Sequence, residues 1–117
     1  MNEKFIVPYY IAEKLHDLGF DQCSDFMYDH DKTLCKRYRG QCIEAPSYEE
    51  VIDYFSRIYN IQIGINIYNF PDNTYEYSAY IVYGQMFKTT KHYKKREESY
   101  NEAFEIILNE MIKENQL

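Results

Sequence analysis

Cys23, His30, Cys35 and Cys42 fall within twenty residues, with His16 just upstream. Four such ligands would suffice for tetrahedral zinc. In structural zinc sites, however, paired ligands sit about two to four residues apart, so that one tight turn presents both. Here six, four and six residues intervene. That spacing favours core or half-buried thiols over metal ligation, because the unoxidised cysteine is a small, usually buried hydrophobe. An odd count of three with no framework spacing also fits a reducing compartment. A cysteine nucleophile would need a base within hydrogen-bond reach and a third group to orient it. His16, His30 and His92 are the three histidines, and none lies in a local motif that builds such a pair. Glu49, Glu50, Glu97, Glu98 and Glu102 stand at expected helix starts, where carboxylates complement the macrodipole. The four glycines are scattered, so no phosphate-cradling loop exists. No catalytic residue, cofactor or metal site is therefore expected, and the chain reads as a non-enzyme.

Charge offers a second chemistry. The 117 residues hold 13 basic and 19 acidic side chains, a net charge of −6. Lys32, Lys36, Arg37 and Arg39 form one basic cluster. Lys88, Lys91, Lys94, Lys95 and Arg96 form another, just before an expected helix. A helix N-terminus already favours anions, and cations beside it strengthen that preference. A nucleic-acid contact through residues 88–96 is thus one reading. The other is a solvated loop on an acidic protein, in keeping with the overall charge and with Glu97 and Glu98 following at once.

A third chemistry lies in the aromatic residues. Tyrosine occurs 14 times and tryptophan is absent. Tyrosine combines a large apolar area with a polar tip and is enriched at interfaces. Strand alternation puts Tyr75, Tyr77 and Tyr83 on one face of a strand and Tyr80 on the other, with Tyr68 pointing away from the isoleucine face of its own strand. Tyr68 and Tyr80 are accordingly the candidate interaction surface, for a protein partner or for self-association. The alternative is that the rings line a wet core edge and raise strand propensity.

The elements that must position these groups follow from periodicity. Pro8 to Leu18 is a helix with Ile11, Ala12, Leu15 and Leu18 on one side, stopped by Gly19. Ser24–Tyr28 and Leu34–Tyr38 read as short strands around the turn residues Asp29 to Lys32; the alternative is one long irregular segment, which compact domains seldom tolerate. Arg39 to Pro46 reads as loop. Ser47 and Glu50 form a capping box for a helix over Tyr48–Tyr59. In residues 61–68 every odd position is isoleucine, so Ile61, Ile63, Ile65 and Ile67 should face the helices while Gln62 and Asn66 face away. Pro71 to Thr74 make a turn, Tyr75–Tyr83 a second strand, and 85–90 a shorter third. Ser99 and Glu102 form a second capping box for a helix over Tyr100–Glu114, with Ala103, Phe104, Ile107 and Leu108 on its apolar face. The expected architecture is a single α+β domain over 1–117. It is a two-layer sandwich, an antiparallel sheet covered by helices, in the order α-β-β-α-β-β(-β)-α. No apolar run reaches the roughly 18 residues of a membrane span, and the N-terminus lacks signal-peptide character. A cytoplasmic protein without membrane contact is expected.

Three stretches stand out: Pro8-x3-Ala12-x2-Leu15-x2-Leu18-Gly19-Phe20, Ala45-Pro46-Ser47-Tyr48-x2-Val51-x2-Tyr54-Phe55, and Ser99-Tyr100-x2-Ala103-x3-Ile107-Leu108. Together they resemble an uncharacterised family of small prophage and mobile-element proteins of gut Bacteroidetes. Tyr54 departs from the family pattern, which has tryptophan there. The resemblance implies a phage-related, cytoplasmic accessory protein and carries over no site residues. The layout of 47–117 (helix, strands, basic loop, helix) is also loosely similar to a double-stranded-RNA-binding domain, which reads A-form shape through backbone contacts. The glycines that usually precede that domain's lysines are missing.

Overall fold

The computed structural model describes residues 5–20, 24–36 and 43–115. The elements are α1 (Tyr9–Leu18), β1 (Phe26–Tyr28), β2 (Leu34–Lys36), β3 (Ile43–Glu44), α2 (Tyr48–Tyr59), β4 (Gln62–Asn69), β5 (Tyr75–Tyr83), β6 (Met86–Thr89) and α3 (Arg96–Asn115). The fold is α+β. Its strands pair antiparallel in two three-stranded sheets, β2-β1-β3 and β4-β5-β6. The chain divides into two compact units, Met1–Glu50 with Ile107–Leu117, and Val51–Ile106.

In the first unit Pro8 is the N-cap of α1 rather than its first helical residue, and its carbonyl accepts from the Ile11 and Ala12 N–H groups. Gly19 takes φ 98°. Its N–H donates to the His16 carbonyl and the Phe20 N–H to that of Leu15, and Phe20 folds back into the core. This is the Schellman arrangement, which uses up carbonyls that a helix end leaves without partners. The β1–β2 turn is held by Asp29, whose Oδ1 accepts from the Asp31 and Thr33 N–H groups at 2.9 and 3.0 Å. Lys32 adopts φ 64° there and lays its ammonium over the Tyr9 ring. β1 is buried on both sides, and the Tyr28 hydroxyl donates to the Val7 carbonyl at 2.6 Å.

Ile43–Glu44 is a strand, where loop is expected from the sequence. It pairs with β1 and completes the first sheet. Two residues are too few to show alternation, so only tertiary pairing defines them. Cys23, Arg37, Tyr38, Arg39 and Cys42 lie outside the described residues. Cys35 is half-buried, and its thiol donates to the Met27 carbonyl. Among the described residues no three His, Cys, Asp or Glu side chains converge in a metal-binding group. No described helix is long and apolar enough to cross a membrane.

The capping box of α2 forms as expected. Glu50 N–H donates to Ser47 Oγ at 3.1 Å, and Ser47 N–H to Glu50 Oε1 at 3.0 Å. The helix ends at Asn60, which takes φ 56°.

In the second unit β4 and β5 pair residue for residue from Gln62 opposite Val82 to Asn69 opposite Tyr75. Phe70 N–H donates to the Thr74 carbonyl, and Asn73 closes the turn at φ 66°. Ile61, Ile63, Ala79 and Ile81 are buried on the odd-numbered face, while Gln62 on the other face is exposed. The α2 and α3 segments of this unit bury Phe55 and Phe104, whose ring centroids lie 6.2 Å apart. The isoleucines alternate in direction as expected, but their burial fades along β4, and Ile65 is only half-buried. Ile67 is 53% exposed, while Asn66 is half-buried with its amide on Ser78. The apolar cover ends before Ile67, and polar partners close over the opposite face at that point.

The second capping box does not form. α3 begins at Arg96, so Ser99 and Glu102 lie inside the helix. Ser99 is fully buried, and its hydroxyl donates to the Tyr77 carbonyl at 2.9 Å. Glu102 Oε1 accepts from the Lys91 N–H and the Tyr93 hydroxyl. Both side chains tie the helix to the preceding strands instead of to its own first turn.

Candidate functional site

The outward, even-numbered face of β4–β5–β6 carries the candidate surface. It presents Gln62, Gly64, Asn66 and Tyr68 from β4 and Glu76, Ser78, Tyr80 and Val82 from β5. Phe87 and Thr89 come from β6, opposite Val82 and Tyr80. Tyr68 and Tyr80 are thus on one face, as their spacing predicts.

Tyr80 lies directly opposite Gly64, and its ring crosses the glycine. A β-carbon on Gly64 would meet the ring Cζ and the hydroxyl oxygen at 2.1 Å. Glycine inside a strand marks such a close approach. The ring stacks on Phe87, centroids 6.2 Å apart and planes 18° from parallel. Phe87 is 62% exposed. The result is a flat aromatic platform with one ring bedded on bare backbone.

Tyr68 stands at the other end of the face. Its ring stacks on His92, with centroids 4.3 Å apart and planes 17° from parallel. Its hydroxyl bonds the buried Ser78 Oγ at 3.2 Å. His92 reaches this position because the strand bulges. Thr89 pairs with Tyr80, and Tyr93 pairs with Tyr77. Three residues on one strand therefore oppose two on the other, which returns His92 to the same face as Thr89. Thr90 fills the gap: its N–H donates to the Ala79 carbonyl, and its Oγ1 accepts from the Ala79 N–H at 2.8 Å.

Glu76 links the groups electrostatically. Its Oε2 accepts from Lys94 Nζ at 3.2 Å, and its Oε1 lies 3.2 Å from His92 Nδ1. Lys94, and after it His92, hold the Glu76 carboxyl below its ordinary range. At the turn, the Thr74 hydroxyl and then its N–H lower that of Asp72. A carboxyl depressed in the folded state stabilises it above the unfolded value, and that contribution is lost as pH falls through the folded value. Stability should therefore decline on acidification below the ordinary carboxylate range. Glu76→Gln should flatten that slope, as read from thermal midpoints across pH. An unchanged slope would show that the Lys94 and His92 contacts do not persist in solution.

A carboxylate on a histidine ring is also how a catalytic base is oriented. Here the neighbouring hydroxyls turn elsewhere. Ser78 is 1% exposed and bonded to Tyr68, so it is not accessible as a nucleophile.

The basic residues of 88–96 do not share one face. Lys88 is opposite Ile81 on β6, and Lys94 joins Glu76 on the outward face. Arg96 folds over the Tyr77 ring, 5.5 Å from its centroid, on the odd-numbered side. Lys91 offers its backbone N–H to Glu102, and Lys95 directly precedes α3.

No family model, curated protein or solved structure matches the chain.

Sequence reasoning misses Gly64, Phe87 and the Glu76–His92 pair. Gly64 had a signal: it breaks an isoleucine strand opposite a tyrosine once the turn fixes the register. His92 had none, because its direction depends on the bulge.

Proposed function

We propose that this is a small accessory protein without enzymatic activity that works by protein–protein contact through the outward face of β4–β5–β6. The observation that carries the reading is the Tyr80–Phe87 stack bedded on Gly64. It offers rigid aromatic area at low entropic cost, the usual anchor of a protein interface. Tyr68, braced by His92 and Ser78, supplies a second anchor with a polar tip. A cytoplasmic, phage-related setting accords with the resemblance of the Ala45–Phe55 stretch.

The second reading, nucleic-acid binding through 88–96, draws on the helix–three strands–helix order and on the cations before α3. Several features weigh against it. Lys94 is neutralised by Glu76, and Arg96 is turned to the other side of the sheet. The first turn of α3 carries Glu97 and Glu98, and the β4–β5 turn carries Asp72.

Binding partners recovered with the wild-type chain should be lost from Tyr68→Ser/Tyr80→Ser and from Gly64→Ala, which lifts the Tyr80 ring. Truncated aromatic anchors cost about 2 kcal/mol or more each. Alanine at Lys94, Lys95 and Arg96 together should leave binding intact. Salt-sensitive binding to duplex RNA or DNA that vanishes in the lysine–arginine variant would replace the protein-contact reading with the second one.

A further inference from the structure

We infer that the outer edge of β4 is a self-pairing edge, joining β4 of a second copy antiparallel about Ile65 to make a continuous six-stranded sheet. The inference goes beyond the aromatic-face reading, since it concerns the strand's edge and names the partner as this same chain.

The direction of the backbone groups follows from the turn. Phe70 N–H bonds the Thr74 carbonyl. Hydrogen-bonded pairs recur every second residue in an antiparallel ladder. Even-numbered residues of β4 therefore bond β5, while Ile63, Ile65, Ile67 and Asn69 point their N–H and C=O groups outward. Among the described residues these groups have no partner.

Exposed edges of this kind are normally blunted by shortness, charge, proline or a bulge. The opposite edge conforms: β6 has four residues and carries Lys88. β4 has eight residues, Gln-Ile-Gly-Ile-Asn-Ile-Tyr-Asn, with no charge and no proline. Its pairing with β5 runs unbroken through all eight residues, so no bulge twists it away.

The occupant is named by the sequence of the edge. Residues 63–67 read Ile-Gly-Ile-Asn-Ile, nearly symmetric about Ile65. A two-fold axis there puts Ile65 opposite its copy and Ile63 opposite Ile67 of the second chain. Every outward-pointing group from 63 to 67 then meets an isoleucine, and both chains use the same patch, as a two-fold interface requires. Ile67, left 53% exposed by its own fold, gains an apolar neighbour. An uncharged strand meeting its copy brings no like charges together.

Sedimentation of the full chain from micromolar to sub-millimolar concentration should show a species of twice 14.2 kDa that dissociates on dilution. Amide exchange at Ile63, Ile65 and Ile67 should slow by about tenfold or more as the dimer forms. Ile67→Pro removes one outward N–H without touching the bonds to β5, and should leave a folded monomer. Ile67→Lys, which keeps the backbone intact, should do the same. A chain that stays monomeric throughout, with exchange independent of concentration, would overturn the inference. So would a dimer that survives both Ile67 variants. If that dimer instead disappears in Tyr68→Ser/Tyr80→Ser, the edge inference fails while the aromatic face is upheld. If partner binding fails but the Ile67 variants abolish the dimer, the reverse holds.

Discussion

Phe104→Ala should lower the stability of the chain by about 3–5 kcal/mol, the usual cost of deleting a fully buried ring and leaving a cavity. Phe104 has no exposed surface. Its ring centroid lies 6.2 Å from that of Phe55, itself fully buried, and 6.1 Å from that of Tyr100, nearly parallel to it. The three rings stand on two helices, so the gap cannot close without shifting one of them. Against a typical total of about 5–15 kcal/mol, such a loss is a large share of the stability, and at the low end of that range it approaches the whole of it. Urea unfolding followed by circular dichroism is the measurement. The midpoint should fall sharply with little change in slope. A loss below about 1 kcal/mol would mean that the ring is not central to the core.

Thr90→Val should cost about 1–3 kcal/mol despite its nearly unchanged shape, because it strands a buried donor. The Ala79 N–H, at a fully buried residue, has Thr90 Oγ1 as its acceptor at 2.8 Å, and that hydroxyl donates in turn to the Lys91 carbonyl at 2.9 Å. Valine offers neither bond. Thr90→Ser keeps both and should stay close to wild type. The consequence extends beyond stability, since the bulge at Thr90 is what carries His92 onto the outward face. In the valine variant the His92 ring protons should lose the shielding conferred by Tyr68, an effect visible by NMR. Retention of both stability and shielding would show that the hydroxyl does not hold the bulge.

The sequence carried the local signals. The Ser47–Glu50 box, the Gly19 stop, the Asp29 and Asp72 turns and the run of isoleucines from 61 are each decided by a few neighbouring residues. The structure reproduces the box, the stop and the turns because nothing distant competes, and it keeps the isoleucines of β4 on one face while burying only the first of them, Ile63. Tyr68 and Tyr80 share a face for the same reason: a pleat of period two, once the Pro71–Thr74 turn sets the register, leaves no freedom.

Where a residue had two possible partners, local pattern could not choose. Ser99 and Glu102 have capping-box spacing, yet both are engaged by β5 and the segment that follows β6. Burial makes the bond to the Tyr77 carbonyl worth more to Ser99 than an exposed cap at the helix start. Ile67 obeys the alternation but lies past the end of the apolar cover, and periodicity says which way a side chain points without saying what meets it. Ile43–Glu44 is a strand only because β1 offers it an edge. The Glu76–His92–Tyr68 cluster depends on one extra residue opposite β5. That count is fixed by Thr90 bonding across to Ala79, a long-range pairing to which no sequence window is sensitive.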